Sequence, residues 1–109
     1  MLKLKTLSLS VACVMFGLSF ANGVVAADGA ELFKTKTCWS CHGKDAKTPI
    51  MPMYPKLAGQ SADYAYNQMV DIKSGARNNG QTAAMKGVMG LVSEEEMKAI
   101  AQWLSSLPK

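Results

Sequence analysis

The longest apolar pattern in the chain lies at its start. Two lysines precede an uncharged, mainly apolar stretch over residues 7–20, polar residues then interrupt it, and small residues follow up to Ala27. This order of basic, apolar and small-residue segments is typical of a secretory signal, cleaved near Ala27 or one residue earlier. We therefore expect residues 1–27 to be a signal peptide and residues 28–109 to form one exported, periplasmic domain.

Two other interpretations of this segment fit it less well. An uncleaved anchor needs roughly 20 apolar residues, and residues 7–27 come close to that length. The polar interruption and the small-residue end favour cleavage. Cys13 could instead carry a lipid, but Ser10-Val11-Ala12 is a poor match to the usual Leu-led sequence before such a cysteine. We interpret Cys13 as part of the apolar segment, so no membrane span is expected after cleavage.

Apolar residues at helical spacing predict three helices after this segment. The first covers Gly29–Thr37, with its lysines on the solvated side. The second covers Ser61–Ser74, capped by its own first serine and ended by Gly75. The last begins at Ser93, where Glu96 completes a capping box.

The segments between these helices predict loops. Residues 43–59 contain three prolines, which are too many for a helix or a central strand. Residues 83–92 are short, rich in Met and contain glycines, so we expect them to be mostly loop. No alternation typical of strands occurs, and the sequence therefore predicts an all-α fold.

Charge and size narrow the classes of function. The chain has twelve basic and eight acidic residues; Lys3 and Lys5 lie in the predicted signal, so residues 28–109 carry a net charge of +2. No basic run with interleaved aromatic residues is present, which argues against nucleic-acid binding. A chain this short buries only a modest core by itself. Its size therefore points to a cofactor or another staple.

The segment Cys38-Trp39-Ser40-Cys41-His42 carries the most specific chemistry. Thiols three positions apart can both reach the vinyl groups on one edge of a porphyrin, and the following histidine then lies where it can bind the iron. This spacing is that of c-type haem attachment. Export agrees with it, because haem is attached to such proteins outside the cytoplasm.

Other roles of a Cys-x-x-Cys pair fit the chain less well. A thioredoxin-like pair needs a βαβ context, which the pattern lacks. A structural zinc ion needs four ligands, and His42 is the only histidine in the sequence. A disulfide between Cys38 and Cys41 would close a very small loop, which constrains the unfolded chain little.

The ligand opposite His42 is less specified. A methionine, a lysine, water or no ligand at all could occupy that position. A thioether suits an electron carrier, because it raises the reduction potential and closes the site to substrates. The methionines after the signal are Met51, Met53, Met69, Met85, Met89 and Met97.

Their positions divide these methionines into groups. Met69 and Met97 lie on predicted helical faces, where a core role is expected. Met51 and Met53, in the proline-rich loop, lie near the attachment motif in sequence and are expected on the side of the pocket nearer to that motif. Met85 and Met89 occupy the segment that could cross the opposite haem face.

In these features the chain resembles the class I c-type cytochromes, especially small bacterial monohaem carriers of the cytochrome c-553 type and single domains of their tandem two-haem relatives. The resemblance covers nearly all of residues 29–107. Besides the Cys-x-x-Cys-His motif, the matching segments are Leu32–Lys34, Tyr54–Gln60, Gln68–Arg77, Ser93–Met97 and Ile100–Leu104.

The resemblance implies a small cytochrome c fold of three to five short helices around one haem c, bound covalently through Cys38 and Cys41. It also implies a helix-crossing contact made by Gly29, Phe33 and Trp103.

The same pattern implies roles around the iron. His42 is one axial ligand, and the carbonyl of Pro55 accepts its ring proton. Leu57 packs on the haem. The axial methionine of the family corresponds to Met85, with Met89 as the second choice.

The function implied is a periplasmic electron carrier that cycles one haem iron between Fe(II) and Fe(III), and not an enzyme. Transient redox proteins are the expected partners, without a nucleic acid or a small-molecule substrate. The exposed haem edge is expected near residues that include Lys44, Lys47, Met51, Met53 and Lys56. The alternatives are a haem-bearing subunit of a periplasmic dehydrogenase or oxidase, and a gas-binding protein with an open sixth position.

Overall fold

A computed structural model describes residues 27–109 of the chain. The predicted signal peptide therefore lies outside the described residues, apart from Ala27. The described part contains five helices and no strand, which confirms the all-α prediction. The helices are α1 (Gly29–Thr35), α2 (Trp39–His42), α3 (Ala62–Ser74), α4 (Thr82–Met89) and α5 (Glu94–Ser106).

The crossing of α1 and α5 forms one side of the fold. The ring centroids of Phe33 and Trp103 lie 5.0 Å apart with the ring planes tilted by 49°, a geometry favourable for aromatic pairs. A side chain at Gly29 would collide with the backbone carbonyl of Ala99 and with the Cβ of Trp103. The close approach of the two helices therefore requires a glycine at this position, as the predicted crossing contact implied.

The helix ends agree with the capping signals in the sequence. The Ser61 hydroxyl accepts from the backbone N–H of Tyr64 at the start of α3. Gly75 ends that helix in the left-handed conformation with φ of 87°, which glycine adopts without steric cost. At the start of α5, Ser93 and Glu96 bond reciprocally in a capping box.

The first helix ends two residues earlier than predicted. Thr37 has φ of 64°, a left-handed conformation that cannot continue an α-helix and that β-branched residues rarely adopt. The chain turns there and begins α2 directly, so the Cys-x-x-Cys-His segment forms a short helix of its own. Trp39 in that helix is exposed.

The prediction of a mostly loop structure for residues 83–92 is wrong, because α4 covers Thr82–Met89. The start of α4 is fixed by Thr82, whose backbone N–H and hydroxyl both donate to the Asn79 carbonyl. The next residues are good helix formers. Gly87 weakens the sequence signal, but nothing lies within 4 Å of the place where its Cβ would be, so the helix accommodates it on an open side.

The proline-rich segment between α2 and α3 is an ordered loop, as predicted. Its centre is Ala46, which is fully buried and has φ of 55°. The Ala46 carbonyl accepts from the backbone N–H groups of Leu57 (2.8 Å) and Ala58 (3.0 Å). Farther along the loop, the N–H of Ile50 donates to the Cys41 carbonyl at 3.1 Å. These bonds fold the loop back onto the end of α2.

The core lies between α1, α3, α4 and α5. Its buried apolar members are Phe33, Ala46, Ala65, Met69, Ile72, Met89, Val92, Met97, Ile100, Ala101 and Leu104. The core positions expected for Met69 and Met97 are confirmed. In the part of the chain that the structure describes, none of the helices has the length and apolar character that crossing a membrane requires.

Candidate functional site

A cleft of about 480 Å³ opens beside α2, within the size range of cofactor pockets. Cys38, Cys41 and His42 all line it. Their convergence follows from local structure, because Cys38 caps α2 and its carbonyl accepts from the backbone N–H of His42 at 3.0 Å. One helical turn thus brings two thiols and one imidazole to the same wall.

The imidazole of His42 is held by the proline-rich loop. Its Nδ1 lies 2.9 Å from the carbonyl oxygen of Pro55. Because a carbonyl oxygen only accepts, Nδ1 carries the proton and donates, and Nε2 retains its lone pair. Burial lowers the pKa of His42, opposed in part by the bond to Pro55. The imidazole is therefore neutral at neutral pH, the form that binds metals.

The thiol of Cys38 is not tuned for thiol redox chemistry. Burial raises the pKa of Cys38 to about 11, with a further increase from the neighbouring Cys41 and partial relief from a backbone hydrogen bond. Reactive cysteines in exchange enzymes have a lowered pKa. The raised pKa of Cys38 therefore argues against a redox-active Cys-x-x-Cys pair.

Two methionines of α4 line the cleft. Met89 is only 1% exposed and belongs to the fully buried core. Met85 is half-buried, packs against the edge of that core and also lines the cleft. In the proline-rich loop Met53 lines the cleft as well, with 56% of its surface exposed.

Leu57 and a set of polar groups complete the lining. Leu57 is half-buried and packs against the core from the proline-rich loop. Farther along the chain, Arg77 donates from Nη1 to Gln68 Oε1 at 3.1 Å, and both residues line the cleft together with Asn79 and Gln81. The cleft therefore combines a mainly apolar wall with a cationic, hydrogen-bonding group.

The structure thus brings together all six residues singled out from the sequence: Cys38, Cys41, His42, Pro55, Leu57 and Met85. The sequence reasoning gave no role to Arg77 or Gln68. A signal existed, because Arg77 lies two residues after the glycine that ends α3, but the turn that directs it back toward α3 cannot be read from the sequence.

The comparisons with known proteins bear directly on this site. The cytochrome c family matches residues 26–108. The chain belongs to the cytochrome c family. It is 35% identical over 96 residues to cytochrome c-553 of Nitratidesulfovibrio vulgaris, a match that covers 88% of this chain and 89% of the relative.

Larger cytochromes match over part of their length. The chain is 37% identical over 99 residues to cytochrome c4 of Pseudomonas aeruginosa, covering 91% of this chain and 46% of the relative. It is 36% identical over 90 residues to the thiosulfate dehydrogenase electron acceptor of Stutzerimonas stutzeri, covering 76% of this chain and 40% of the relative. This cytochrome c thus spans less than half the length of both.

A solved structure supports the fold assignment. The crystal structure of cytochrome c4 from Pseudomonas stutzeri superposes with a TM-score of 0.67 at 30% identity, covering 76% of this chain and 48% of the other. The small cytochrome c fold expected from the sequence is confirmed.

Family membership supports a haem-dependent electron carrier and implies covalently bound haem c. The residues present fit that group. Cys38 and Cys41 provide two thiols at one wall of a cleft of suitable size, and His42 provides an oriented neutral imidazole. Arg77, an always-charged donor, lines the same cleft and suits the carboxylates of a haem.

Proposed function

We propose that this cytochrome c is a periplasmic electron carrier that holds one haem c through thioethers to Cys38 and Cys41, with His42 and Met85 as axial ligands. When bound, haem supplies one iron that cycles between Fe(II) and Fe(III). The observation that carries the proposal is the hydrogen bond from His42 to Pro55 at the wall shared with both thiols. It fixes the tautomer whose Nε2 can bind the iron.

The environments of the two α4 methionines support Met85 over Met89. A ligand side chain has to face the cleft while its stem packs against the protein, and the half-buried Met85 meets that description. Met89 is enclosed by the core, with 1% of its surface exposed. Met89 also borders the cleft, but turning its side chain out of its core contacts to reach an iron would leave a cavity, which destabilises a protein.

Electron transfer is proposed to take place at the edge of the cleft near the thiols. Trp39, Ile50, Met51 and Met53 are exposed apolar side chains, and Ile50 is hydrogen-bonded to Cys41. An apolar surface of this kind suits small, transient redox interfaces.

Lysines near this edge are proposed to favour an acidic partner. Lys56 lines the cleft, and Lys44 and Lys47 lie in the same loop. The ammonium of Lys47 already donates to the Lys109 carbonyl at 2.8 Å, which leaves Lys44 and Lys56 as the main candidates for steering.

Export is part of the proposal. The basic, apolar and small-residue order of residues 1–27 supports cleavage before Asp28 and a periplasmic location. The protein recovered from the periplasm is then expected to start at Asp28, or at Ala27 if cleavage occurs one residue earlier. Sequencing of its N-terminus checks this, and a chain that keeps residues 1–27 would indicate an uncleaved anchor.

A haem-bearing subunit of a dehydrogenase is the second candidate. One relative is named as a thiosulfate dehydrogenase electron acceptor, which links a protein of this family to a dehydrogenase. The two candidates differ in the lifetime of the complex: a subunit copurifies with its catalytic chain, whereas a carrier dissociates from it.

The mass of the unfolded, purified chain tests the haem attachment. A covalent haem stays with the chain in denaturant, so the mass is expected to exceed that of residues 28–109 by one haem. The double variant Cys38→Ala/Cys41→Ala is expected to lose this added mass. A redox titration of the native protein is then expected to show one electron per chain. Haem released on unfolding of the natural chain would refute the proposal.

A further inference from the structure

The turn between α4 and α5 contains two backbone carbonyls that accept hydrogen bonds from lysines elsewhere in the fold. Lys36, the residue that follows α1, donates from Nζ to the Leu91 carbonyl at 2.9 Å. Lys73 of α3 donates from Nζ to the Val92 carbonyl at 2.6 Å. Among the hydrogen bonds of the described residues, these lysines are the only donors to either carbonyl. We call this pair of bonds the lysine clamp.

Charge strengthens the clamp. Hydrogen bonds from an ammonium group are stronger than those between neutral groups. Val92 is 1% exposed, so the ammonium of Lys73, an exposed residue, reaches the carbonyl of a buried residue. Lys36 is in addition 3.5 Å from the carboxylate of Glu96, which fixes its ammonium beside the capping box of α5.

The clamp lies at the end of the helix that carries Met85. The chain leaves α4 after Met89, and the backbone N–H of Val92 donates to the Met89 carbonyl at 3.1 Å. The opposite end of α4 is fixed where Thr82 bonds to Asn79. Gly87 lies between these two ends, and a glycine weakens a helix interior. Because the middle of α4 is weakened in this way, the two fixed ends limit how far the helix can move.

We propose that Lys36 and Lys73 are positioning residues for the sixth iron ligand: they fasten the turn after α4 and so keep the Met85 thioether from leaving the iron. This inference rests on the proposed axial role of Met85. A thioether is a neutral ligand without charge attraction to the iron, so its retention depends on how firmly its backbone is held in advance.

Displacement of the methionine by imidazole tests the inference. The probe is free imidazole, added to the oxidised, haem-loaded protein while the weak long-wavelength absorption band of the methionine–iron bond is followed. In Lys73→Met, which keeps an unbranched stem without the ammonium, half-displacement is expected at an imidazole concentration about tenfold lower, as for the loss of one charge-assisted hydrogen bond. For Lys36→Met, the imidazole concentration at half-displacement is also expected to fall.

Two variants serve as controls. Lys34→Met removes an exposed lysine of α1, two residues before Lys36, and is expected to need the same imidazole concentration as the natural protein. Lys73→Arg retains a charged donor and is expected to restore most of the resistance to imidazole. If Lys73→Met fails to take up haem, the comparison of Lys36→Met with Lys34→Met decides the question.

The outcomes separate the two proposals. A natural protein without the long-wavelength band would refute the axial role of Met85 itself. If the natural protein has the band but both lysine variants need the same imidazole concentration as it does, the clamp is refuted and the ligand assignment stands. The proposal would also be overturned if the lysine variants unfold at a lower urea concentration than the natural protein but bind imidazole equally well. That result would show that the lysines stabilise the fold without positioning the ligand.

Discussion

His42 and Pro55 are joined by a hydrogen bond of 2.9 Å from the imidazole Nδ1 to the backbone carbonyl. The bond connects the short helix α2 to the proline-rich loop, and it determines which ring nitrogen keeps a lone pair. A proline suits this position because it has no N–H that would need a partner and its φ is fixed. The carbonyl that orients the ring is thus presented by a stiff piece of backbone.

The variant Pro55→Ala distinguishes the contribution of the Pro55 carbonyl from that of the proline ring. Pro55→Ala keeps the acceptor, so His42 ligation and the visible spectrum are expected to persist. The free energy of unfolding is expected to fall by about 0.4–1 kcal/mol, because the unfolded chain gains freedom. Urea unfolding and absorption spectra of the haem-loaded protein measure both. A spectrum without His42 ligation would show that the loop, and not the carbonyl alone, holds the imidazole.

The glycines of α1 and α4 are expected to respond to alanine in opposite directions. At Gly87 the new Cβ meets nothing within 4 Å, so Gly87→Ala is expected to stabilise the protein by about 0.5–1 kcal/mol through better helix formation.

Gly29→Ala is the matched comparison for that change. Its Cβ would collide with the Ala99 carbonyl, and forcing α1 away from α5 is expected to cost about 1–3 kcal/mol. Thermal unfolding of both variants provides the measurement. Equal effects of the two substitutions would show that the helix crossing does not depend on close approach at Gly29.

Glu96 is expected to make stability depend on pH in the acid range. The pKa of its carboxyl is lowered, first by the backbone N–H of Ser93 and then by the Ser93 hydroxyl and Lys36. A carboxyl whose pKa is lowered by folding stabilises the protein above its ordinary value of 4.5. This contribution is lost as the pH falls through the lowered value.

The variant Glu96→Gln isolates this contribution. Glutamine can still complete the capping box but carries no charge, so the variant is expected to be less stable than the natural protein at pH 7. The difference is expected to shrink as the pH falls below 4.5. Urea unfolding of both proteins over this range checks it. A difference that stays constant with pH would contradict the role of the charge.

The parts predicted correctly from the sequence are those specified by neighbouring residues. Ser61, Gly75 and the pair Ser93 and Glu96 act within one helical turn, so their capping roles are readable locally. The attachment motif is equally local. The family pattern in turn supplied Pro55, whose carbonyl lies beside the His42 ring.

The parts that escaped prediction depend on distant contacts. The helix α4 is not predicted because Gly87 and Gly90 interrupt a short run of helix formers, and its packing against the core stabilises it. The bond between Lys36 and Leu91 joins positions 55 residues apart. A lysine carries no mark of such a partner in the sequence.

The choice between Met85 and Met89 is the most direct test of the account. Leucine has nearly the volume of methionine but cannot bind iron, so Met85→Leu and Met89→Leu form a matched pair. The measurement is the long-wavelength methionine–iron band of the oxidised, haem-loaded proteins. The account predicts that Met85→Leu loses the band and has a lower reduction potential, whereas Met89→Leu keeps both. Loss of the band in Met89→Leu alone would contradict it.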